Sequence, residues 1–585
     1  MRRTARPCSD GHDTQLLLIC LFGGLAAGCG GGALAVTGFA GSATCGGCHS
    51  AEHAAWIASL HARALEPPEP SRVLAPFDGV PRVFASLAMR PARNGDRLVV
   101  ETNDHVRHPV AWSIGRRAVE QFLVPAAGGR LQALPVGYDP RRHEWFDVFP
   151  EAPAPTDWSH WTAPGMTANG RCLACHTTGY VKGYDATADR YETRWAEAGV
   201  GCETCHGPGA AHVSAVRAGQ RSRDGYGAVR PPEVAAEACA PCHARRTEIR
   251  PGFVPGLPLL DFFDVASIDA TFHQADGRLR GEAYEWTSFG LSVMAARGIV
   301  CQDCHEPHAG GLRSPGDGVC ARCHPQALHA EAHTHHPAAS AGARCVACHM
   351  PPSVFMERDV RHDHSFARPD PETAAALGMP DPCMGCHADR DARWAVDRVR
   401  AWFPDAGERD RRRQVARTFH DAWAGDETAT GGLLDIVAGP GDGMRRAAAA
   451  RVLAPHTRDP RVRARLVASL GDRDPLVRAA GATSLADAAD DDAVRDALLR
   501  AVRDPVRFVR IEAAFALRRV VFADGDAPAV EAAQQEWLEA QAAEADRPEA
   551  NHNRGIFLTA RDDVAGAESA YRAAIARWPR FLPAR

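Results

Sequence analysis

The chain has 585 residues, enough for roughly four domains at about 150 residues each. Its 67 basic and 72 acidic side chains give a net charge of −5, which argues against a nucleic-acid-binding protein, because such proteins carry a basic excess. No apolar run reaches the roughly 18 residues of a membrane span, so a polytopic membrane protein is excluded. The 19 Cys and 27 His are unusual and direct the rest of the interpretation.

The first 29 residues have the features of an export signal. Arginines near the start precede a short apolar stretch over residues 16–27. The sequence AAGC ending at Cys29 resembles a bacterial lipoprotein cleavage box, which predicts a signal peptide over 1–29 and membrane anchoring through a lipidated Cys29. Cys8 and Cys20 would then be removed, and ordinary cleavage at small residues near 28–32 is the alternative.

The pattern C-x-x-C-H occurs eight times, far more often than composition alone would produce. It is the covalent attachment signature of c-type haem: two thiols form thioether bonds and the histidine coordinates the iron. We number the motifs 1 to 8 in chain order. The predicted haem-binding cysteines are Cys45, Cys48, Cys172, Cys175, Cys202, Cys205, Cys239, Cys242, Cys301, Cys304, Cys320, Cys323, Cys345, Cys348, Cys383 and Cys386. The predicted proximal histidines are His49, His176, His206, His243, His305, His324, His349 and His387.

Zinc sites and disulfides are the alternatives for these cysteines. Zinc needs two C-x-x-C pairs for each ion and, like a disulfide framework, does not demand a His after every second Cys. Eight covalently bound c-type haems are therefore the predicted cofactors. Because haem is attached after export, the sequence predicts a periplasmic, outer-membrane or cell-surface location in a bacterium.

The composition divides the chain after the last motif. Residues 45–387 hold every motif and 23 of the 27 His, which predicts an octahaem cytochrome c domain over 30–395. The segment 389–403 is predicted to form a connecting helix. The expected fold class is mainly α, with a loop-rich haem domain followed by an α-solenoid.

The C-terminal third is repetitive and helical. Asp442, Asp474 and Asp504 recur at spacings of 32 and 30 residues, each before an Ala- and Leu-rich stretch. Asp is a preferred helix cap, so this pattern predicts HEAT-like repeats over 396–530. Residues 531–585 are predicted to form tetratricopeptide-like helices, from the spacing of Gly555, Leu558, Ala567, Tyr571, Ala574 and Pro579.

Two roles remain open for these repeats. They are either a structural solenoid or a scaffold through which the protein docks redox partner proteins. The chain ends where a following helix would begin, which favours a docking surface or a truncated reading frame.

The sixth ligand of each iron decides the function. A haem with two histidine ligands conducts electrons, whereas a haem with an open position can bind and reduce a small molecule. The haem domain has 15 His beyond the eight in the motifs, enough for every iron.

Several segments resemble multihaem cytochromes with cytochrome c-552/4 domains, in the nitrite reductase and hydroxylamine oxidoreductase superfamily. The resemblance is carried by Trp56-x-x-Ser-x-His61 after motif 1 and by the run from Val200 to His212 around motif 3. It extends to Asp363-His364 after motif 7, and to Tyr284–Met294 leading into motif 5. The last stretch is similar to members that append HEAT and tetratricopeptide repeats. The resemblance implies closely packed haems in a mostly helical chain, but no single activity.

The resemblance implies one distal ligand for each iron. Those matching the family pattern are His61, His212, His308 and His364, and His160 and His273 match it less closely. From the cluster His329, His333, His335 and His336, we choose His333 and His336. The histidines interpreted as structural or exposed are His53, His105, His108, His143 and His362.

Two departures from the family bear on catalysis. Pentahaem nitrite reductases attach their catalytic haem through a motif ending in Lys, and all eight motifs here end in His. Octahaem tetrathionate reductases use a Lys as sixth ligand, and Lys182 is the one lysine available, although a lone lysine is usually a surface residue. The first Tyr after motif 8 is Tyr571, which argues against hydroxylamine oxidoreductase chemistry.

These observations predict an exported octahaem cytochrome that transfers electrons between redox partners. The alternatives are a terminal reductase of a nitrogen or sulfur oxyanion at one open haem, and a solenoid whose haems sense redox state. The 66 arginines could pair with haem propionates, although a GC-rich genome explains them equally well. Catalytic residues are not identifiable from the sequence.

Overall fold

The computed structural model describes residues 38–220, 232–281, 284–325, 328, 331–404, 407–521 and 525–584. The predicted signal peptide, with Cys8, Cys20 and Cys29, lies outside the described residues, and so does His329. Within these ranges no helix combines the length and apolar character needed to cross a membrane.

The haem motifs lie on or beside single helical turns. In motif 1 the amide of His49 donates to the carbonyl of Cys45 at 2.9 Å, and the same bond recurs in motif 8 between His387 and Cys383. One turn places residues three and four apart on the same face, so both thiols and the imidazole can reach one haem. The helices of this domain are α1 (Ser42–Gly46), α2 (Ser50–Ile57), α3 (Leu173–His176), α4 (Cys202–His206), α5 (Ala210–Arg217), α6 (Pro232–Glu237), α7 (Ala240–His243), α8 (Glu285–Gly290), α9 (Val293–Ala296), α10 (Cys301–Cys304), α11 (Gly318–Ala321), α12 (Glu331–Thr334), α13 (Cys345–His349) and α14 (Pro371–Leu377).

Between motifs 1 and 2 the chain forms a β-module over residues 65–147. Its antiparallel sheets have the strand orders β1-β6-β7-β8-β9 and β2-β3-β4-β5. Phe77, Phe122 and Val100 belong to one buried apolar cluster within it. The strands are β1 (Leu65–Glu66), β2 (Arg82–Val83), β3 (Ala88–Asn94), β4 (Arg97–Thr102), β5 (Arg107–Pro109), β6 (Trp112–Ile114), β7 (Glu120–Ala126), β8 (Arg130–Asp139) and β9 (Glu144–Asp147).

The β-module corrects the expected fold class, because the haem domain is mixed rather than mainly α. The local signal for it is present in the sequence. Asn94 pairs with Arg97 across a two-residue turn in which Gly95 adopts a φ of 61°. An Asn-Gly step followed by the β-branched run Val99-Val100 is typical of a hairpin.

In the described part of the haem domain, ten further strands form two-stranded antiparallel ribbons among the motifs. The longest ribbon, β18 with β19, places its second strand just before His364. The strands are β10 (Thr177–Thr178), β11 (Tyr184–Asp185), β12 (Arg190–Tyr191), β13 (Glu197–Ala198), β14 (Arg246–Glu248), β15 (Phe263–Val265), β16 (His305–Glu306), β17 (Gly311–Leu312), β18 (Pro352–Phe355) and β19 (Asp359–His362).

The C-terminal third is an array of helices. Asp442 caps one helix by accepting the amide of Arg445 at 2.8 Å, and Asp474 caps another through Leu476 at 2.9 Å. The third repeat differs, because its helix begins at Arg507, two residues later than the spacing predicts. The helices are α15 (Ala392–Trp402), α16 (Gly407–Trp423), α17 (Thr430–Ala438), α18 (Gly443–Val452), α19 (Pro460–Ser469), α20 (Pro475–Ser484), α21 (Asp492–Ala501), α22 (Arg507–Ala516), α23 (Ala527–Ala543), α24 (Pro548–Thr559) and α25 (Val564–Arg577).

A ladder of ion pairs connects successive repeats. In each pair an arginine early in one helix contacts an acidic residue of the next repeat, and most contacts use two nitrogens. Guanidinium groups suit this paired geometry. The pairs are Arg446 with Asp472, Arg478 with Asp504, and Arg510 with Glu536.

The last two helices, α24 and α25, pack closely on each other. Gly555 lies directly against the ring of Tyr571, so a β-carbon at this position would collide with the ring. Both residues are among those from which the tetratricopeptide-like unit is predicted.

The helical array packs onto the haem domain rather than standing apart from it. Arg445 donates to the carbonyls of Leu291 and Asp276, both at 3.2 Å. The amide of Arg507 donates to Asp261 at 2.7 Å. A single buried apolar cluster also contains residues of both parts, so one face of the array is used within the chain itself.

Candidate haem-binding site

Seven of the eight motifs line one cavity of about 2250 Å³. Its wall includes Cys172 and His176 of motif 2, and it continues through motifs 3 to 8 as far as Cys383. The β-module and the β18–β19 ribbon contribute further residues to the wall, including Ile114 and Val360. Twelve of the fourteen cysteines of these motifs line this cavity.

Neighbouring motifs lie close enough for their thiols to touch. Four cysteine pairs are within hydrogen-bonding reach: Cys45 with Cys202, Cys175 with Cys242, Cys239 with Cys301, and Cys320 with Cys345. Four further cysteine pairs are close enough for electrostatic interaction: Cys205 with Cys239, Cys205 with Cys242, Cys304 with Cys323, and Cys348 with Cys386. These contacts order the motifs 1-3-4-5-6-7-8, with motif 2 attached at the side of motif 4.

Asp317 joins one of these contacts. One ligand atom each from Asp317, Cys320 and Cys345 lies within 4.8 Å of the others, a grouping that could hold a metal ion. Because both cysteines belong to C-x-x-C-H motifs, we assign the grouping to two adjoining haem sites rather than to a separate metal centre.

Four motif histidines face a second histidine at the distance of an axial ligand pair. Metal–imidazole bonds are about 2 Å long, so rings on opposite sides of one metal have centres roughly 6 Å apart. The pairs and their centre distances are His206 with His308 at 6.3 Å, His305 with His364 at 6.3 Å, His349 with His333 at 6.4 Å, and His387 with His336 at 5.9 Å. The second member of every pair is a residue that the sequence predicted as a distal ligand.

Hydrogen bonds orient these rings for coordination. A ligating histidine donates its other ring N–H to a carbonyl or carboxylate, which leaves Nε2 free for the metal. In four histidines Nδ1 lies within hydrogen-bonding distance of a backbone carbonyl oxygen. These are His176 with the carbonyl of Ala64 at 2.8 Å, His349 with that of Ala367 at 3.1 Å, His364 with that of His362 at 2.9 Å, and His336 with that of Thr334 at 2.6 Å. Burial lowers the pKa of His305, His349 and His364, which favours the neutral, ligating form. The donor set fits covalently bound haem.

The other predicted distal ligands have different surroundings. His61 lines the cavity, and burial followed by the nearby His243 lowers its pKa. His212 lies on α5, whose first amide bonds to the carbonyl of Gly38 near motif 1. The Nδ1 of His160 lies 2.8 Å from the hydroxyl of Thr162. These assignments stay predictions.

His273 is the least suited of the predicted distal ligands. It is buried, and its Nδ1 accepts the amide of Asp269 at 3.4 Å. A neutral ring in this state carries its proton on Nε2, which has no hydrogen-bond partner within the described part of the chain. That tautomer is the opposite of the one implied by the carbonyl contacts of His336, His349 and His364.

Among the histidines interpreted as structural or exposed, His105, His143 and His362 are exposed, and His362 also has features of a ligand. His105 and His143 occupy turns with positive φ, His53 packs on Trp56, and the ring of His108 packs edge-on against Trp161. His362 instead lines the cavity and holds its Nδ1 2.8 Å from the carbonyl of Met350, as the paired rings do. Its spacing in His362-Asp363-His364 was the available signal.

A carboxylate beside motif 4 was not anticipated. Oε2 of Glu285, the first residue of α8, lies 3.4 Å from Nδ1 of His243, and Oε1 lies 3.8 Å from Arg361. Burial raises the pKa of Glu285, but the hydrogen bond from His243 outweighs this effect and holds the pKa at about 2. Glu285 is far from His243 in the chain, so no sequence pattern connects them.

Arginines surround the cavity, and several lie next to another cation. Burial and the nearby Arg547 lower the pKa of Arg171, and burial and Arg368 lower that of Arg412. Such sites suit an anionic partner such as a haem propionate. The cavity-lining arginines are Arg116, Arg117, Arg171, Arg245, Arg246, Arg297, Arg344, Arg361, Arg368, Arg409, Arg412 and Arg547.

Lys182 is not placed to act as a haem ligand. Its Nζ donates to the carbonyl of Ala543 at 2.8 Å and to the carboxylates of Glu544 at 3.0 Å and Asp546 at 3.1 Å. All three ammonium donors are used, and a charged amine has no lone pair for iron. The sequence-based alternative of a lysine sixth ligand is therefore wrong, and Lys182 joins the haem domain to the C-terminal helices.

Comparison with known families matches two parts of the chain. Residues 156–207, which span motifs 2 and 3, match the family described as cytochrome c554 and c-prime. Residues 430–518 match HEAT repeats, which confirms that prediction. With the C-x-x-C-H motifs, these matches support a multihaem c-type cytochrome that carries HEAT repeats. The tetratricopeptide unit and the nitrite reductase superfamily stay predictions.

Among solved structures, the chain is similar to the crystal structure of outer cell wall cytochrome OcwA. The alignment covers 86% of this chain and 100% of that chain, at 17% identity and a TM-score of 0.45. No curated protein matches the chain.

Proposed function

We propose that the protein is an exported octahaem cytochrome that carries electrons between redox partner proteins. The observation that supports this function best is the unbroken run of neighbouring motifs 1-3-4-5-6-7-8, linked by cysteine contacts. Bound haem supplies one-electron chemistry, and the protein contributes its position, its axial ligands and the charges around it. A run that extends from motif 1 to motif 8 suits transfer between two separate docking sites.

The histidine pairs support a conducting role. His308, His364, His333 and His336 would each complete a six-coordinate iron, which has no position for substrate. We propose His61, His160, His212 and His273 as the remaining distal ligands. His273 has the weakest support of the four, and His362 is the alternative to it. The neighbouring arginines on the cavity wall would hold propionates.

The function is tested by the spin state of the oxidised holoprotein. Only low-spin signals in the EPR spectrum, together with eight haems per chain by pyridine haemochrome assay, are expected for a conduit. A high-spin signal that shifts when nitrite is added would contradict it. Peptide mapping by mass spectrometry assigns each haem to its motif and checks the count independently.

A terminal reductase is the second candidate, and the side position of motif 2 favours it. Motif 2 contacts motif 4 through Cys175 and Cys242 and lies off the main run. A haem at the end of a branch has no further haem to pass electrons to, so electrons that reach it are available to reduce a substrate. This candidate predicts a high-spin signal that disappears when the motif 2 haem is removed by the C172A/C175A double variant.

We also propose a periplasmic or surface location with a lipid anchor at Cys29. The support is the export needed for haem attachment and the cleavage box in the sequence. Metabolic labelling with a fatty acid is expected to mark the wild-type protein and not the C29S variant. Labelling of both would contradict the anchor.

A further inference from the structure

The axial histidine of motif 4 differs from other motif histidines in its hydrogen-bond acceptor. His176 and His349 each direct Nδ1 to a neutral backbone carbonyl. His243 instead directs Nδ1 to the carboxylate of Glu285, at 3.4 Å. An anion at this position makes the imidazole a stronger electron donor to a metal than a carbonyl does.

The Glu285 carboxylate is held in place from two sides. Its other oxygen lies 3.8 Å from Nη1 of Arg361, at the end of the β18–β19 ribbon. The Glu285 side chain is 24% exposed and that of Arg361 25%, so solvent screens these charges only in part. All three side chains line the haem cavity.

Motif 4 also occupies the junction of the motif run. Cys239 contacts Cys301 of motif 5, and Cys242 contacts Cys175 of motif 2. Cys205 of motif 3 interacts with both cysteines. Electron transfer from motif 3 to motif 2 or to motif 5 therefore passes through motif 4. The reduction potential at motif 4 affects each of these routes.

We propose that Glu285 is a positioning residue that lowers the reduction potential at motif 4 by accepting the Nδ1–H of His243, and so sets the step between the motif run and its branch. The inference rests on the proposed function. Its redox step is the transfer of one electron from a haem reduced by a redox partner to the ferric iron at motif 4, without loss of the His243 proton. Glu285 favours the ferric side because its negative charge offsets the extra positive charge there.

The test is a potentiometric titration of the full-length holoprotein and its E285Q variant, followed in the visible haem band. Gln keeps the size of the side chain and removes the charge. We expect one-eighth of the absorbance change to move to higher potential, with an equilibrium constant for reduction raised at least ten-fold, or about 59 mV for one electron. The remaining seven-eighths should superimpose on the wild type.

Glu306 offers a matched control, because its Oε1 lies 3.4 Å from Nδ1 of His308. The Glu306 side chain is more exposed than that of Glu285, at 36% against 24%, so E306Q should change the titration less than E285Q. R361Q tests the sign, since removing the cation beside Glu285 should move the same fraction to lower potential. It also keeps the inference testable if E285Q folds poorly.

Two results would contradict the inference. An E285Q titration identical to the wild type, or an R361Q shift to higher potential, overturns the role of Glu285 while the conduit stands. Mass spectrometry of the peptide that contains residues 239–243 shows whether motif 4 carries haem. It therefore separates a failure of the role of Glu285 from a failure of the proposed function. If that peptide carries no haem in the wild type, the octahaem proposal fails, and the inference fails with it.

Discussion

The K182M variant tests the junction between the haem domain and the C-terminal helices. The Lys182 side chain is 10% exposed, and its partners Glu544 and Asp546 are 7% and 5% exposed. Removing the ammonium leaves two buried carboxylates without their shared cation. Breaking a buried ion pair in this way costs about 3–5 kcal/mol, so we expect the free energy of unfolding to fall by that amount.

The variant is measured by urea denaturation followed by far-ultraviolet circular dichroism, with the haem spectrum recorded beside it. The R572Q variant is the control, because Arg572 and Glu568 are 77% and 60% exposed and their pair should contribute at most about 0.5 kcal/mol. The visible and EPR spectra of K182M should match the wild type. A loss below about 1 kcal/mol, or an altered haem spectrum, would refute the structural role of Lys182.

The same cluster has a defined pH dependence. Burial lowers the pKa of Lys182, but the charges of Glu544 and Asp546 outweigh this effect and raise the pKa above its usual 10.5. A cation whose pKa rises on folding contributes stability below its unfolded pKa and loses it as the pH passes the folded value. The difference in stability between wild type and K182M should therefore be constant near neutral pH and shrink above about pH 10.5.

Two more variants test the haem ligands and the last helix pair. H336A should convert the haem that His387 binds from low to high spin by EPR, whereas H335A, whose ring stacks on a tryptophan, should leave the spectrum unchanged. Equal spectra for both would contradict the assigned pair. G555A should lower the free energy of unfolding by about 1–3 kcal/mol, because the added methyl meets an aromatic ring. G431A, in an open helical position, should be neutral or stabilising, and an equal loss in both variants would contradict the packing argument.

The β-module shows where interpretation of the sequence was incomplete. Its hairpin signal at Asn94-Gly95 is local and could have been recognised, but the module lies between two haem motifs. The resemblance to mostly helical cytochromes directed the prediction away from them. The packing of this module against the haem cavity, through residues such as Ile114, depends on contacts that no local pattern encodes.

The caps of the helical repeats were predictable because capping is local. Asp442 and Asp474 cap their helices through amides two or three residues away. The third repeat begins at Arg507 instead, although Asp504 accepts the amide of Val506 just as Asp474 accepts that of Leu476. The role of Lys182 could not be predicted in this way. Its partners lie more than 350 residues further along the chain, so only the folded structure brings them together.

The sequence by itself determined the covalent chemistry of this protein. A C-x-x-C-H motif places two thiols and an imidazole within one helical turn, so its function depends on neighbouring residues alone. Only the tertiary structure decided which histidine faces which, which motifs adjoin, and that Glu285 lies beside His243. Those relations join segments far apart in the chain, and they depend on how the whole polypeptide packs around its cavity.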